Sequence, residues 1–174
     1  MTLAPPLAPV SAPRPLPAAE VLAAIPQRPS ILFACRDNSG LSLLAEAMVN
    51  HAHRQIRAFS AGIHGSGAVD SALVDCLDLE GIPSDGLSSK PMELFGFSGA
   101  PRIDLVISLV ADARERIERL TGIAPLPVET WSFEDPSTVA DPRRRRHLYR
   151  QIVPRLRAGI SALAAARAEP AFAA

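Results

Sequence analysis

Cys35 opens a short polar segment whose residue types could hold an anion against a reactive thiol. The segment reads Cys35-Arg36-Asp37-Asn38-Ser39-Gly40-Leu41-Ser42. It directly follows the apolar run Ile31–Ala34, so it is predicted to be a tight turn between a buried strand and a helix. Such a turn points backbone N–H groups inward, and together with the helix N-terminus they form a nest for an anion such as phosphate.

A cysteine at the mouth of such a nest is expected to be chemically active. The positive field lowers the pKa of the thiol and makes thiolate available at neutral pH. That thiolate is a nucleophile toward phosphorus or arsenic. Ser42 can hydrogen-bond it, and Asn38 can adopt a left-handed conformation or bond across the turn. The alternative is a buried, inert cysteine that ends the strand, but the small polar residues after Cys35 favour a reactive one.

A second candidate for chemistry is the pair Asp135-Pro136, which follows the last predicted strand. From a loop at that edge of a sheet, Asp135 can reach the face that holds Cys35. There it can protonate a leaving group and later activate water. Asp-Pro is also an ordinary turn pair, and both interpretations stay open.

Strand-like and helix-like stretches alternate along the chain from Ser30. Strands are predicted at Ile31–Ala34, Ile56–Ala61, Ile103–Leu109 and Pro127–Trp131. Helices are predicted at Leu41–His53, Val69–Glu80, Asp112–Leu120 and from Pro142 to about Arg167. The alternation predicts a three-layer α/β fold, in which helices cover both faces of a four-stranded parallel sheet. In such folds ligands lie outside the carboxyl ends of the strands, which is where Cys35 falls.

The first 29 residues differ in composition from the rest of the chain. Met1–Pro29 is rich in proline and alanine. Because proline fixes φ and removes a backbone donor, this stretch is predicted to be a disordered arm. Within it, Ala18–Ile25 is compatible with a short helix that ends before Pro26. The arm is either a plain tail or a docking segment for a protein partner, and residues 30–170 are predicted to form one domain.

The overall composition argues against several classes of function. Lys and Arg number 18 and Asp and Glu number 18, so no net positive field favours nucleic acid. No segment approaches the apolar length of a membrane span, and two cysteines fit a reduced, cytoplasmic setting. His51 and His53 lack the partners of a metal site, so neither a metal nor a cofactor is expected. The basic run Arg143–Arg146 is predicted to be a solvated helix face.

Several motifs in one order resemble the low-molecular-weight protein tyrosine phosphatase superfamily, which includes the thioredoxin-coupled arsenate reductases. That superfamily carries a Cys, five residues, an Arg and a Ser or Thr after the first strand. Beyond the loop, the resemblance rests on Ser60-Ala61-Gly62, Ser88-Ser89-Lys90, Asp104–Ile107 and Asp135-Pro136. It covers about Ser30 to Ser161 and implies that Cys35 is the nucleophile, Ser42 binds the thiolate and Asp135 is the general acid.

Two loop residues depart from the pattern of this superfamily. Leu41 stands at the position of its invariant arginine, which forks onto the oxyanion and stabilises charge in the transition state. Asp37 stands where glycine is usual, so it brings negative charge and is expected to need a conformation that glycine adopts more easily. Arg36 belongs to the loop, but its place next to Cys35 suits solvent. Both departures disfavour phosphate.

The sequence also lacks some of the cysteines that an arsenate reductase uses. Its chemistry implies further cysteines that resolve the first, and Val110 lies near the place of one of them. Cys76 occupies an apolar position of a predicted helix and is expected in the core. Reduction through an internal disulfide relay is therefore disfavoured.

Three functions are compatible with these residues. The first is a divergent member that keeps the fold and Cys35, with phosphatase activity weak or lost and a role in regulation or in binding an oxyanion or phosphorylated ligand. The second is a working cysteine-dependent phosphatase or arsenate reductase with an altered loop. The third is a protein-interaction module that uses the arm or the basic helix.

Overall fold

The computed structural model describes residues 18–25, 27–111, 113–122 and 126–168. The strands in this part of the chain are β1 (Ser30–Cys35), β2 (Arg57–Gly62), β3 (Leu105–Ser108) and β4 (Val128–Thr130). The helices are α1 (Ala18–Ala23), α2 (Leu41–Ala52), α3 (Ser71–Glu80), α4 (Arg114–Thr121) and α5 (Pro142–Ala168). Short 3₁₀ turns lie at Met92–Gly96 and Pro136–Thr138. None of the helices described is long and apolar enough to cross a membrane.

The strands form one parallel sheet in the order β2-β1-β3-β4. Cys35 at the end of β1 is in register with Gly62 at the end of β2. From β1 the chain first adds β2 on one side and later returns to add β3 on the other. The connections therefore diverge at the carboxyl end of β1, where parallel sheets bind their ligands. The predicted four-stranded parallel sheet is confirmed, and Cys35 lies at this switch point.

Alternating side chains of β1 enter two separate hydrophobic layers. Ile31, Phe33 and Cys35 pack in a cluster with the buried faces of α2, α3 and α5. Leu32 and Ala34 pack in a second cluster, which contains the buried side chains of α4 and of the first 3₁₀ turn. All six residues of β1 are buried, as expected for a central strand covered on both sides. The predicted three-layer arrangement is therefore present.

The folded domain begins before Ser30, inside the stretch that was predicted to be an arm. Ala18 and Leu22 of α1 are buried in the core cluster, and the carbonyl of Pro29 accepts a hydrogen bond from the Arg57 N–H at 2.9 Å. The short helix expected here is therefore present, and burial of its apolar side orders it despite the prolines nearby. Residues 1–17 of the predicted arm lie outside the described residues.

The basic run at the start of α5 is solvated only in part, because Arg143 and Arg144 are exposed while Arg145 and Arg146 are half-buried. Three of its guanidinium groups reach carboxylates on other elements. These pairs are Arg144–Glu134 at 3.8 Å, Arg145–Asp70 at 3.3 Å and Arg146–Asp75 at 3.1 Å. The run therefore ties α5 to α3 and to the loop after β4. Composition alone could not reveal this, because Asp70 and Asp75 are distant in sequence and Glu134 lies in the loop before α5.

Candidate active site

The loop from Cys35 to Gly40 connects β1 to α2, and its carbonyl groups are bonded to the segment that follows β2. The hydrogen bonds run from Ile63 N–H to the Cys35 carbonyl at 2.9 Å, His64 to Arg36 at 2.8 Å, Gly67 to Asp37 at 2.7 Å and Asp70 to Ser39 at 2.8 Å. On its inner side, the N–H groups of Asn38 and Ser42 are directed at the Cys35 sulphur. This is the arrangement of carbonyls outward and N–H groups inward that forms an anion nest.

A hydrogen-bonded chain fixes the thiol inside this nest. The Cys35 Sγ lies 2.9 Å from the Ser42 Oγ, and Asn38 donates from Nδ2 to the same hydroxyl at 2.8 Å. The Asn38 Oδ1 accepts from the Lys90 N–H at 2.8 Å. Asn38 has φ of 53°, the left-handed conformation that asparagine tolerates better than most residues. The contacts expected of Ser42 and Asn38 are thus present, while their catalytic roles stay predictions.

Asp37 stabilises the loop from within. Its Oδ1 accepts from the Ser39 N–H at 3.0 Å and from the Ser39 hydroxyl at 2.7 Å. Among the described non-glycine residues only Asn38 has a positive φ, so Asp37 does not need a conformation that favours glycine. That expectation is wrong, and the reason is that the left-handed turn lies one residue later. Its carboxylate still adds negative charge to the loop.

Leu41 leaves the nest without a guanidinium at the position where the superfamily carries one. It is the first residue of α2, its side chain is 1% exposed, and it packs in the same apolar cluster as Cys35. It offers no hydrogen-bond donor to an oxyanion beyond its backbone N–H. Arg36 is exposed, as expected, but it is not free in solvent, because its Nε lies 3.8 Å from the Asp135 Oδ2.

Asp135 reaches the loop from the far side of the sheet, as its place after β4 predicts. Its Oδ1 accepts from the Ser137 N–H at 2.9 Å and so caps the second 3₁₀ turn. Its Oδ2 is buried and has no hydrogen-bond partner. The carboxylate is close enough to Cys35 for its charge to affect the thiol. Asp135 therefore caps a turn and also lies close to Cys35.

The pKa of the Cys35 thiol is raised above its ordinary value, contrary to the sequence prediction. Burial is the largest cause, and the negative charge of Asp135 adds to it. Hydrogen bonds from Ser42 and Asn38 act in the opposite direction but do not outweigh burial. With leucine at position 41, no guanidinium there offsets these effects. The thiolate is therefore harder to form than the sequence predicts.

A buried tyrosine that sequence reasoning missed supports the loop from α5. The Tyr149 hydroxyl donates to the Asp70 Oδ2 at 3.2 Å, and Arg145 pairs with the same oxygen. A Cβ added to Gly40 would overlap the Tyr149 hydroxyl. Gly40 therefore allows Tyr149 to contact the loop closely. Asp70 lies inside the helix predicted at Val69–Glu80, and no signal in the sequence pointed to its contact with Tyr149. The structure places Asp70 as the N-cap of α3.

Cys76 is not part of this site. It lies on α3, is 3% exposed and belongs to the core, as predicted. Burial raises its pKa to about 11. Both cysteines are free thiols. In the described ranges, no group of three or more His, Cys, Asp or Glu side chains could hold a metal ion.

The fold and the site together define a class of small α/β protein that presents a cysteine in an anion nest at the switch point of a parallel sheet. The chain belongs to the low molecular weight phosphotyrosine protein phosphatase family, whose sequence profile matches residues 30–169. The predicted resemblance is therefore confirmed. A search of curated proteins found no match.

Solved structures give the same fold at low sequence identity. The tyrosine phosphatase Wzb from Escherichia coli K30, in complex with sulphate, superposes with a TM-score of 0.62 at 16% identity, over 77% of this chain and 97% of that chain. Vibrio vulnificus Wzb with benzylphosphonate gives 0.60 at 16% identity, over 76% and 97%. An arsenate reductase in the phosphate binding state gives 0.57 at 24% identity, over 78% and 98%. These likenesses establish the fold.

Proposed function

We propose that this protein binds an oxyanion or a phosphorylated ligand in the Cys35 loop and turns over phosphate esters weakly or not at all. The nest, the thiol and the aspartate of the family are present at the end of the sheet. The loop arginine that would hold the substrate and stabilise the transition state is missing, because Leu41 stands at its position. The protein is then a binding or regulatory member of its family.

The observation that carries this proposal is the buried leucine at position 41. In the family loop, the side chain at this position supplies a forked pair of charged donors to the oxyanion. Leu41 is packed into the core instead and is 1% exposed. Removing one preorganised donor of this kind from a transition state costs on the order of 10²–10³ in rate, and a charged bidentate donor is worth at least as much.

The state of the thiol supports the same proposal. Burial raises the pKa of the Cys35 thiol and so makes it a poorer nucleophile, since attack on phosphorus requires the thiolate. A phosphate dianion would also meet the charge of Asp135, whose buried Oδ2 lies 3.8 Å from the Arg36 Nε. The backbone nest remains, and it binds anions without any need for ionised sulphur.

Arsenate reduction is disfavoured by the position of the second cysteine. A relay would need a thiol that can reach Cys35 and form a disulfide. The chain has two cysteines, and Cys76 is buried on α3 with a raised pKa. Such a thiol is a slow attacking group at neutral pH.

A second candidate function is an active phosphatase in which Arg36 replaces the missing loop arginine. The ion pair between Arg36 and Asp135 favours it, because it brings a guanidinium to the edge of the nest. In that case Arg36 would swing from Asp135 onto the oxyanion, and Asp135 would be released to act as general acid. This candidate predicts turnover that depends on Arg36.

Hydrolysis of p-nitrophenyl phosphate and binding of inorganic phosphate distinguish the two candidates. The full chain is compared with Cys35→Ser, Arg36→Gln and the matched cysteine control Cys76→Ser. The proposal predicts measurable phosphate binding to the full chain and turnover that is absent or weak and does not depend on Arg36. Turnover that is abolished in Cys35→Ser and in Arg36→Gln, but kept in Cys76→Ser, would instead establish the active enzyme.

A further inference from the structure

A cavity of about 430 Å³ adjoins the Cys35 loop on the side of α4. Its volume falls in the range of small-molecule clefts. The residues that line it come from the loop, from the turn after β2, from the segment after β3 and from α4. They are Arg36, Ile63, His64, Val110, Ala111, Ala113, Glu115, Arg116 and Arg119.

Among the described residues, the lining of the cavity holds more cationic than acidic side chains, and Arg36 is the one of its arginines that pairs with a carboxylate, Asp135. Its described lining contains the guanidinium groups of Arg36, Arg116 and Arg119 against the carboxylate of Glu115. Within the described residues, no carboxylate lies within ion-pair distance of Arg116 or Arg119. The arginines at the start of α5, by contrast, are paired with carboxylates of other elements. Unpaired guanidinium groups around a concave surface favour an anion.

One of these arginines is held in place by the backbone of the cavity wall. The Arg116 Nε donates to the carbonyl of Ile63 at 2.9 Å. This bond uses one donor of the side chain, so the two terminal nitrogens stay available to a ligand. The guanidinium is therefore oriented before any ligand binds, which lowers the entropic cost of binding.

The cavity lies next to the loop that forms the anion nest. Ile63 donates to the Cys35 carbonyl at 2.9 Å and His64 donates to the Arg36 carbonyl at 2.8 Å, so the cavity wall is bonded to the first two residues of the loop. Arg36 itself lines the cavity while its Nε faces Asp135 on the other side. A ligand with two anionic groups can occupy both places.

We propose that this cavity binds the second phosphate of a small ligand that carries two or more phosphate groups, the first of which lies in the Cys35 loop. The assignment of the first phosphate rests on the proposed function. The second phosphate contacts Arg116 and Arg119. Leu41 weakens the affinity of the loop for phosphate, and the guanidinium groups of Arg116 and Arg119 compensate for part of that loss. The protein then binds oligophosphates in preference to inorganic phosphate.

Isothermal titration of the full chain with inorganic phosphate and with tripolyphosphate tests this inference. The variants are Arg119→Gln, Arg116→Gln and their combination. The combination Arg143→Gln/Arg150→Gln is the matched control, because it removes the same charge from exposed positions of α5. Arg119→Gln is the most informative single change, since the side chain of Arg119 makes no hydrogen bond or ion pair among the described residues.

The inference predicts that tripolyphosphate binds at least about 10-fold more tightly than phosphate. Arg116→Gln/Arg119→Gln should remove this gain and leave phosphate affinity within about twofold, while the control pair changes neither. Equal losses in the control pair, or no loss in the cavity variants, would overturn the inference.

The titrations distinguish two failures: that the Cys35 loop does not bind phosphate, and that the cavity does not bind a second phosphate. Tripolyphosphate binding that depends on Arg116 and Arg119 without any phosphate binding would support the cavity and contradict the loop. Phosphate binding to the loop with no gain for tripolyphosphate would contradict the cavity alone.

Discussion

Asn38 donates from its side-chain amide to the hydroxyl of Ser42 at 2.8 Å, and through that hydroxyl it holds the Cys35 thiol at the centre of the loop. This contact joins the middle of the loop to the first turn of α2. It is present although leucine occupies the position of the family's loop arginine. The hydrogen bonds that shape the loop and the side chain at position 41 are therefore separate features of this site, and each can be tested by itself.

Asn38→Gly and Asn38→Ala should separate the hydrogen bonds of this residue from its backbone conformation. Glycine tolerates the φ of 53° and loses only the bonds to Ser42 and Lys90, which should cost about 1–3 kcal/mol of unfolding free energy. Alanine loses the same bonds and adds left-handed strain, so it should cost about 1 kcal/mol more. Urea unfolding measures both values. An alanine variant more stable than the glycine variant would show that this turn is not left-handed in solution.

Gly40→Ala should destabilise the protein because the added Cβ overlaps the Tyr149 hydroxyl. Tyr149 is fully buried, so its ring cannot move away freely, and overpacking of this kind costs about 1–3 kcal/mol. Adding Tyr149→Phe removes the overlapping oxygen and should recover part of the loss. A double-mutant cycle from urea unfolding tests the contact, and strictly additive effects would argue against it.

The free energy of unfolding should fall at alkaline pH, because two thiols and one phenol are buried in the folded protein. The pKa values of Cys35, Cys76 and Tyr149 are all raised in the folded protein. As the pH rises above about 9, the unfolded chain releases protons that the folded chain keeps, so stability falls. Each group contributes a slope of about 1.4 kcal/mol per pH unit until its folded pKa is reached.

The contribution of Cys76 to the pH dependence of the unfolding free energy can be measured separately. Its folded pKa of about 11 confines its contribution to the interval from pH 9 to pH 11. Cys76→Ala should flatten the dependence of unfolding free energy on pH within that interval and leave the dependence below pH 8 unchanged. Equal slopes for both proteins would contradict the burial of this thiol.

Asp135→Asn should lower the pKa of the Cys35 thiol, because the carboxylate charge raises it in the native protein. The rate of iodoacetamide alkylation, followed against pH in a Cys76→Ala background, reports the titration of Cys35 alone. Glu134→Gln is the matched control, since Glu134 is the adjacent carboxylate but its exposed side chain pairs with Arg144. A Cys35 titration that shifts equally in both variants would show a general charge effect and not a local one.

Local residue patterns were sufficient to predict much of the fold. The apolar run before Cys35 predicts a strand and Pro142 predicts the start of the last helix, and both elements are present. Each of these signals acts within a few residues. Tyr149 and Arg145 could not be predicted as supports of the loop. Their partner Asp70 is brought to them only when α3 packs against α5.

The candidate site was predictable in its members but not in its electrostatics. Cys35, Asn38, Ser42 and Asp135 come together as expected, because the carboxyl ends of parallel strands share one edge. The direction of the thiol pKa was not predictable, since it depends on how deeply the sulphur is buried and on how close Asp135 comes. Neither quantity is encoded in residue spacing.

The most direct test of the central claim is phosphate binding to Leu41→Arg, with Leu41→Met as the size-matched control. Isothermal titration should show phosphate bound at least about 10-fold more tightly by Leu41→Arg than by the native chain, with Leu41→Met unchanged. Because Leu41 is buried, thermal unfolding with and without phosphate should show a larger phosphate-induced stabilisation in the arginine variant than in the native chain. If neither affinity nor thermal stabilisation by phosphate increases in Leu41→Arg, the loop is not an anion nest that lacks the family's loop arginine.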